Sequence, residues 1–140
     1  MENISVREME EADIPAILTL ADGFKHLDKF QTIMHGAINY VMLLEEKIIG
    51  ISSCFRSKKH WSFHIFNIDI VEKYAQKDMF VAFLEYILKN LHREGGYSVN
   101  ILCYHGDEIL EEALIEHGFT LNDEINKSDF KAYSKRQPVS

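Results

Sequence analysis

Residues 40–54, Y-V-M-L-L-E-E-K-I-I-G-I-S-S-C, set two apolar runs, Tyr40 to Leu44 and Ile48 to Cys54, on either side of Glu45-Glu46-Lys47. Apolar runs of strand length joined by a short polar stretch predict an antiparallel hairpin. Downstream, Trp61 to Val71 is aromatic and β-branched and reads as a long strand. Phe80, Phe83, Leu84, Ile87, Leu88 and Leu91 then recur at helical spacing, which predicts a helix from about Asp78 to Arg93. Gly95-Gly96 breaks it, and Tyr97 to Tyr104 reads as another strand. Leu110, Ala113, Leu114 and His117 line one face of a further helix that Gly118 stops. Two short strands follow, Phe119 to Leu121 and Phe130 to Tyr133. Upstream of the hairpin, Ile4 and Val6 alternate with polar neighbours as a strand. Asp13 stands as an N-cap two residues before Pro15, in the first turn of a helix carrying Ile14, Ile17, Leu18 and Ala21. A second helix covers about Leu27 to His35, and the order is βααβββαβαββ.

The chain has 140 residues, 46% hydrophobic and 26% charged, the balance of a globular unit that buries a core. It reads as one domain over residues 1–135 with a loose tail at 136–140. Twenty-two acidic against fifteen basic residues give a formal charge of −7, which speaks against a nucleic acid or an anionic membrane as partner. Tyr40 to Leu44 is too short to span a bilayer, and the start M-E-N-I-S-V-R-E-M-E-E lacks the features of a signal peptide, so a cytoplasmic location is expected. Cys54 and Cys103 form no short-spaced motif and read as reduced core thiols.

Three segments, in order and at the right distances, resemble the GNAT superfamily of acyl-CoA-dependent N-acyltransferases. The opening I-S-V-R-E-M-E-E-A-D-I-P-A-I resembles the family's first strand and helix. M-L-L-E-E-K-I-I-G-I-S-S is similar to its second and third strands, with Gly50 at a position where those proteins commonly place glycine. L-I-E-H-G-F resembles the end of its fourth helix. The resemblance implies an α/β (α+β) fold, a mixed, mostly antiparallel sheet flanked by helices. In it the strands around Ile68 and Ile101 run parallel and part at one end. It implies transfer of an acetyl group from acetyl-CoA, as co-substrate, to an amine of a small molecule or peptide. A homodimer is left open. Backbone groups of Ile70 and Val71 would hold the pantetheine arm, and the turn from Gln76 through Lys77, Asp78 and Met79 to Phe80 would face the pyrophosphate.

That turn departs from the family pattern of Arg or Gln, two free positions, Gly, one free position, then Gly or Ala. The glycines let helix N-terminal N–H groups approach the pyrophosphate. Here Ala75, Asp78 and Phe80 take the three positions. Asp78 reads first as a helix N-cap and Phe80 as a core residue; Lys73 and Lys77 flank the turn and could supply positive charge. On the fourth helix, Asp107 stands where many members have Asn near the start, a cofactor-side position. Leu114 replaces the tyrosine that protonates the departing thiolate. Tyr104 and Cys103 are conceivable substitutes, and both also read as plain strand residues.

Acyl transfer needs a base to free the amine's lone pair. His64 and Asp69, both on the fourth strand, are the candidates, each with an ordinary strand role as the alternative. No metal site is expected: His60 and His64 lie about 13 Å apart on a strand, and Cys103 with His105 supplies too few ligands. The loss of both glycines and the tyrosine supports a second reading, a catalytically silent GNAT-like domain that binds acyl-CoA or a protein partner.

Overall fold

The structure, a computed structural model, describes residues 3–20, 23–58, 61–104, 106–123 and 129–136. Its elements are β1 (Ile4–Glu8), α1 (Ile14–Thr19), α2 (Leu27–Ile33), β2 (Ile38–Leu44), β3 (Lys47–Arg56), β4 (Ser62–Ile70), α3 (Lys77–Arg93), β5 (Ser98–Tyr104), α4 (Glu108–Glu116), β6 (Thr120–Leu121) and β7 (Phe130–Arg136). This is the expected order. Among the described residues the strands form one sheet, β1-β2-β3-β4-β5-β7-β6, in which only β4 and β5 run parallel.

The hairpin turn is Glu45-Glu46 alone, with φ of 51° and 70°. Two left-handed residues make the two-residue loop whose twist suits a hairpin, and Lys47, expected in the turn, already pairs with Leu44. Gly50 is required by packing: a Cβ there would lie 3.0 Å from both Met42 Cβ and Phe83 Cε2, between β2 and α3. Helix α3 buries Phe83, Leu84, Ile87 and Leu91 completely, which is the face its spacing predicted.

Several boundaries differ from expectation. Asp13 does not cap α1: its carboxylate takes two bonds from the Arg7 guanidinium, at 2.7 and 2.9 Å, and one from the Glu10 N–H at 2.8 Å. The chain turns through a short 3₁₀ segment, Glu11–Asp13, and the carboxylate ties that turn to β1. The Arg7 partner holds the Asp13 carboxyl below the usual carboxylate range. Helix α2 stops at Ile33, and β7 continues through Arg136, which pairs with Ser98. Ala21, His60, His105 and residues 137–140 lie outside the described residues.

Two layers cover the sheet. Helices α3 and α4 share one face, where α4 meets the odd-numbered side chains of β7: Glu111 lies 3.6 Å from Lys131, and Lys135 reaches the His117 carbonyl. The α1–α2 segment lies on the other face, where Lys29 sits 4.6 Å from the Tyr104 ring centre.

Candidate functional site

Strands β4 and β5 pair only from Ser62–Ser98 to Ile65–Ile101. Beyond that rung β4 runs on to Ile70 and β5 to Tyr104 without pairing with each other, so the sheet opens into a wedge. At the apex, Ser53 pairs with Asn67 while Cys54 pairs with Ile65, which leaves Phe66 as one extra residue in β4. Such a bulge reverses the alternation of side chains along the strand. Phe63 and Ile65 therefore share the buried face with Ile68 and Ile70, and His64 shares the opposite face with Asn67 and Asp69.

Asn67 is 1% exposed, and neither atom of its side-chain amide has a hydrogen-bond partner among the described residues. Its neighbours along the same row are satisfied: Ser53 Oγ donates to Asn39 Oδ1 at 2.6 Å, and Asn39 Nδ2 to the Met34 carbonyl at 2.8 Å. A buried carboxamide left unpaired costs about 1–3 kcal/mol.

The mouth of the wedge gathers side chains from four elements. Asp69, 3% exposed on β4, accepts the backbone N–H of His26 at 2.8 Å and that of Lys25 at 3.4 Å. The His26 ring, through Nε2, meets both oxygens of Asp107 at 2.8 and 3.0 Å. It also lies 4.9 Å from the Tyr104 ring. Lys25 Nζ donates to the Gly106 carbonyl at 3.1 Å. The segment before α2 is thus laced to both lips of the wedge, and its flanks, Phe24 and Leu27, are anchored in the core. The hydrogen bond to Asp107 raises the His26 pKa, burial raises that of Asp69, and burial likewise keeps the Tyr104 phenol protonated.

What remains open between the lips is a cavity of about 20 Å³ bordered by Lys25, Asp69, Phe80 and Asp107, room for about one water molecule. A larger cavity, about 730 Å³, lies between α1, the β2–β3 hairpin and residues 72–74. Its most buried polar pair, Arg7 with Asp13, is already satisfied internally.

The expected site residues divide accordingly. Asp69, Tyr104 and Asp107 come together, and His26, which sequence reasoning missed, joins them. His64 stands apart, below the last β4–β5 rung, with Nδ1 3.4 Å from Asn100 Nδ2; burial lowers its pKa, so its imidazole is neutral at neutral pH. Ile70 pairs with Gly50, and the Val71 N–H goes to the Ile49 carbonyl at 2.8 Å. Gln76, not Asp78, occupies the N-cap of α3; Asp78 sits in the first turn and takes the Met79 N–H at 3.0 Å. Phe80 is a buried core residue. Lys77 is paired with Glu116 at 2.8 Å. Leu114 is fully buried, and the Cys103 thiol is pushed up to about 12 by burial and donates to the Asp107 carbonyl at 3.6 Å. Among the described residues no group of three or more His, Cys, Asp or Glu side chains is placed to hold a metal ion.

For coenzyme A the fit is therefore split. The unpaired β4 edge and the orphaned Asn67 amide suit the amide-bearing pantetheine arm. The turn does not suit the pyrophosphate: a side chain fills each glycine position, Asp78 consumes a donor, and Lys77 is neutralised.

No protein-family model and no curated protein sequence matches the chain. Solved structures do. The IAA acetyltransferase from Bacillus cereus superposes with a TM-score of 0.77 at 14% identity, over 96% of this chain and 99% of that one. The PaiA N-acetyltransferase from Thermoplasma acidophilum, solved in complex with coenzyme A, gives 0.76 at 10% identity, over 96% and 99%. An acetyltransferase of the GNAT family from Streptococcus pneumoniae gives 0.75 at 14% identity, over 97% and 100%. With a parallel β4–β5 pair that parts beyond Ile65 and Ile101, the chain has the fold of the GNAT acetyltransferases.

Proposed function

We propose that the protein moves an acyl group from an acyl-CoA thioester to an amine, with the acyl end at the apex of the wedge. The observation that carries this reading is Asn67, a buried carboxamide without a partner, two residues past the point where β4 and β5 part. The thioester supplies an activated carbonyl. Asn67 Nδ2 is the donor available to an acyl oxygen there, and a fixed donor in a water-poor site is worth more than the same group in water. His64, neutral and on the same face of β4, accepts the proton that the substrate ammonium must lose before the freed amine attacks the thioester carbonyl. As the amide bond forms the C–S bond breaks, and the departing thiolate takes a proton from water or from the Tyr104 hydroxyl, which burial keeps protonated near the mouth. The laced segment from Phe24 to Leu27 must give way for an arm to enter, since the gap it leaves holds about one water molecule.

The second reading, a silent domain that binds acyl-CoA or a protein partner, is favoured by that closed gap and by Asp78 and Phe80 in the turn. Calorimetric titration of acetyl-CoA, followed by thiol release with a panel of amines, separates the two. Weak binding with amine-dependent thiol release supports transfer, binding without release supports a silent acyl-CoA-binding domain, and no binding contradicts both of these and leaves only the protein-partner form of the second reading.

A further inference from the structure

On the face away from α3 and α4, below the parting of the strands, two cavities of about 480 and 380 Å³ meet at Asn100. Their floor is a cross-strand row of neutral polar side chains. Asn122 Nδ2 donates to Ser134 Oγ at 2.9 Å, Ser134 Oγ to Asn100 Oδ1 at 2.5 Å, and Asn100 Nδ2 faces His64 Nδ1. One rung lower, Ser62, Ser98 and Arg136 stand side by side on β4, β5 and β7. Lys58 closes the near end, since the Ser57 N–H bonds the Ser62 carbonyl at 2.8 Å.

The charge of this groove is opposite to that of the chain. The formal charge is −7, yet among the described residues no Asp or Glu lines either cavity, while Lys58 and Arg136 do. Both are exposed, and neither forms an ion pair among the described residues. Several cations elsewhere are paired: Arg7 with Asp13, Lys77 with Glu116 and Lys131 with Glu111. The remaining lysine at the groove, Lys135, turns its amine to His117 on the opposite face. Strand spacing of about 4.8 Å places Arg136 within about 10 Å of Ser62, so two long cationic side chains reach over one hydroxyl-lined floor. Guanidinium and ammonium groups over such a floor recognise carboxylate or phosphate oxygens.

We propose that this groove binds the anionic end of the acceptor, an amine that carries a carboxylate or phosphate group. Its role as acceptor site rests on the transfer reading; its capacity for anions does not. The groove begins at Asn100, one residue before the last β4–β5 rung, so an anion bound there leaves the amine end directed at the apex and past His64.

The test titrates the full chain with inorganic phosphate and, separately, with acetate, without any donor, and follows amide NMR signals. Shifts concentrated on Ser98, Asn100, Asn122 and Ser134 are expected, weakening as salt rises. The double variant K58Q/R136Q, altered only at exposed positions, is expected to bind about tenfold more weakly. The stronger of the two anions identifies the headgroup class. Absence of groove shifts with both anions, or unchanged shifts in the variant, overturns the proposal. Thiol release is then compared between an anionic amine and its neutral amide. Equal rates overturn the acceptor role. Anion binding in a protein that releases no thiol from any amine removes the transfer reading and leaves the anion site standing.

Discussion

His26 holds Asp107 through its ring and Asp69 through its backbone, and its pKa is raised first by the bond to Asp107. Lys29 opposes the shift, Asp69 adds to it, and Tyr104 packs against the ring. A folded-state value above the ordinary one, about 6.5, means that the pair stabilises fully below that pH and loses its contribution as pH rises through the folded value. His26→Gln is therefore expected to lower stability by about 1.5 kcal/mol at pH 6 and by less at pH 9, read from urea midpoints. A deficit that grows with pH would refute the pairing. Asn67 carries the opposite expectation. Replacing an unpaired buried amide by an isosteric apolar group removes a desolvation cost, so Asn67→Leu is expected to raise stability by about 1 kcal/mol while lowering thiol release. A variant that loses stability shows that the amide is satisfied in solution, for example by a water. Neither His26 nor Asn67 was legible as a site residue. His26 lies in a connection between helices, and its role depends on where tertiary packing carries that connection. That Asn67 is unpaired is a property of its surroundings and has no sequence signature.

At the scale of elements, the hairpin, α3 and the β5–α4 unit were legible because period-2 and period-3.6 patterns are written directly in their apolar positions. The bulge in β4 was also written there, in the change of phase between Phe63 and Ile65 on one side and Ile68 and Ile70 on the other, a signal that reading 61–71 as one uninterrupted strand passes over. Helix termini were less legible, since Asp13 and Asp78 have the composition of caps but are claimed by Arg7 and by the adjacent N–H. At the start of α3, Asp78→Gly is expected to cost about 1 kcal/mol of stability and to tighten acetyl-CoA binding, because it frees the Met79 N–H and removes a negative charge. Unchanged affinity in a calorimetric titration means that the pyrophosphate does not sit at this turn. In α4, Leu114 is fully buried, so Leu114→Tyr overfills the core and is expected to lower the thermal midpoint, by about 1–3 kcal/mol of stability, without raising turnover. A gain in turnover would show that the helix can turn that position toward the wedge.

Across the whole molecule, one face of the sheet is packed under α3 and α4, while the other combines the laced mouth, the apex and the open cationic groove. The order of the elements carries this division. The crossover through α3 makes β4 and β5 parallel neighbours, the bulge turns Asn67 and Asp69 toward the face of His64, and the loop before α2 arrives on that same face. In the transfer reading the acyl end of a thioester lies at the apex. Its most direct test is the side-chain amide signal of Asn67 in ¹⁵N-labelled protein during titration with acetyl-CoA up to about 1 mM, the upper range of ordinary substrate affinities. A large shift of that signal is expected, together with the backbone signals of Phe66 to Ile70, and a smaller one with coenzyme A lacking the acyl group. An Asn67 signal that stays in place while other parts of the protein respond, or a spectrum that does not change at all, would contradict it.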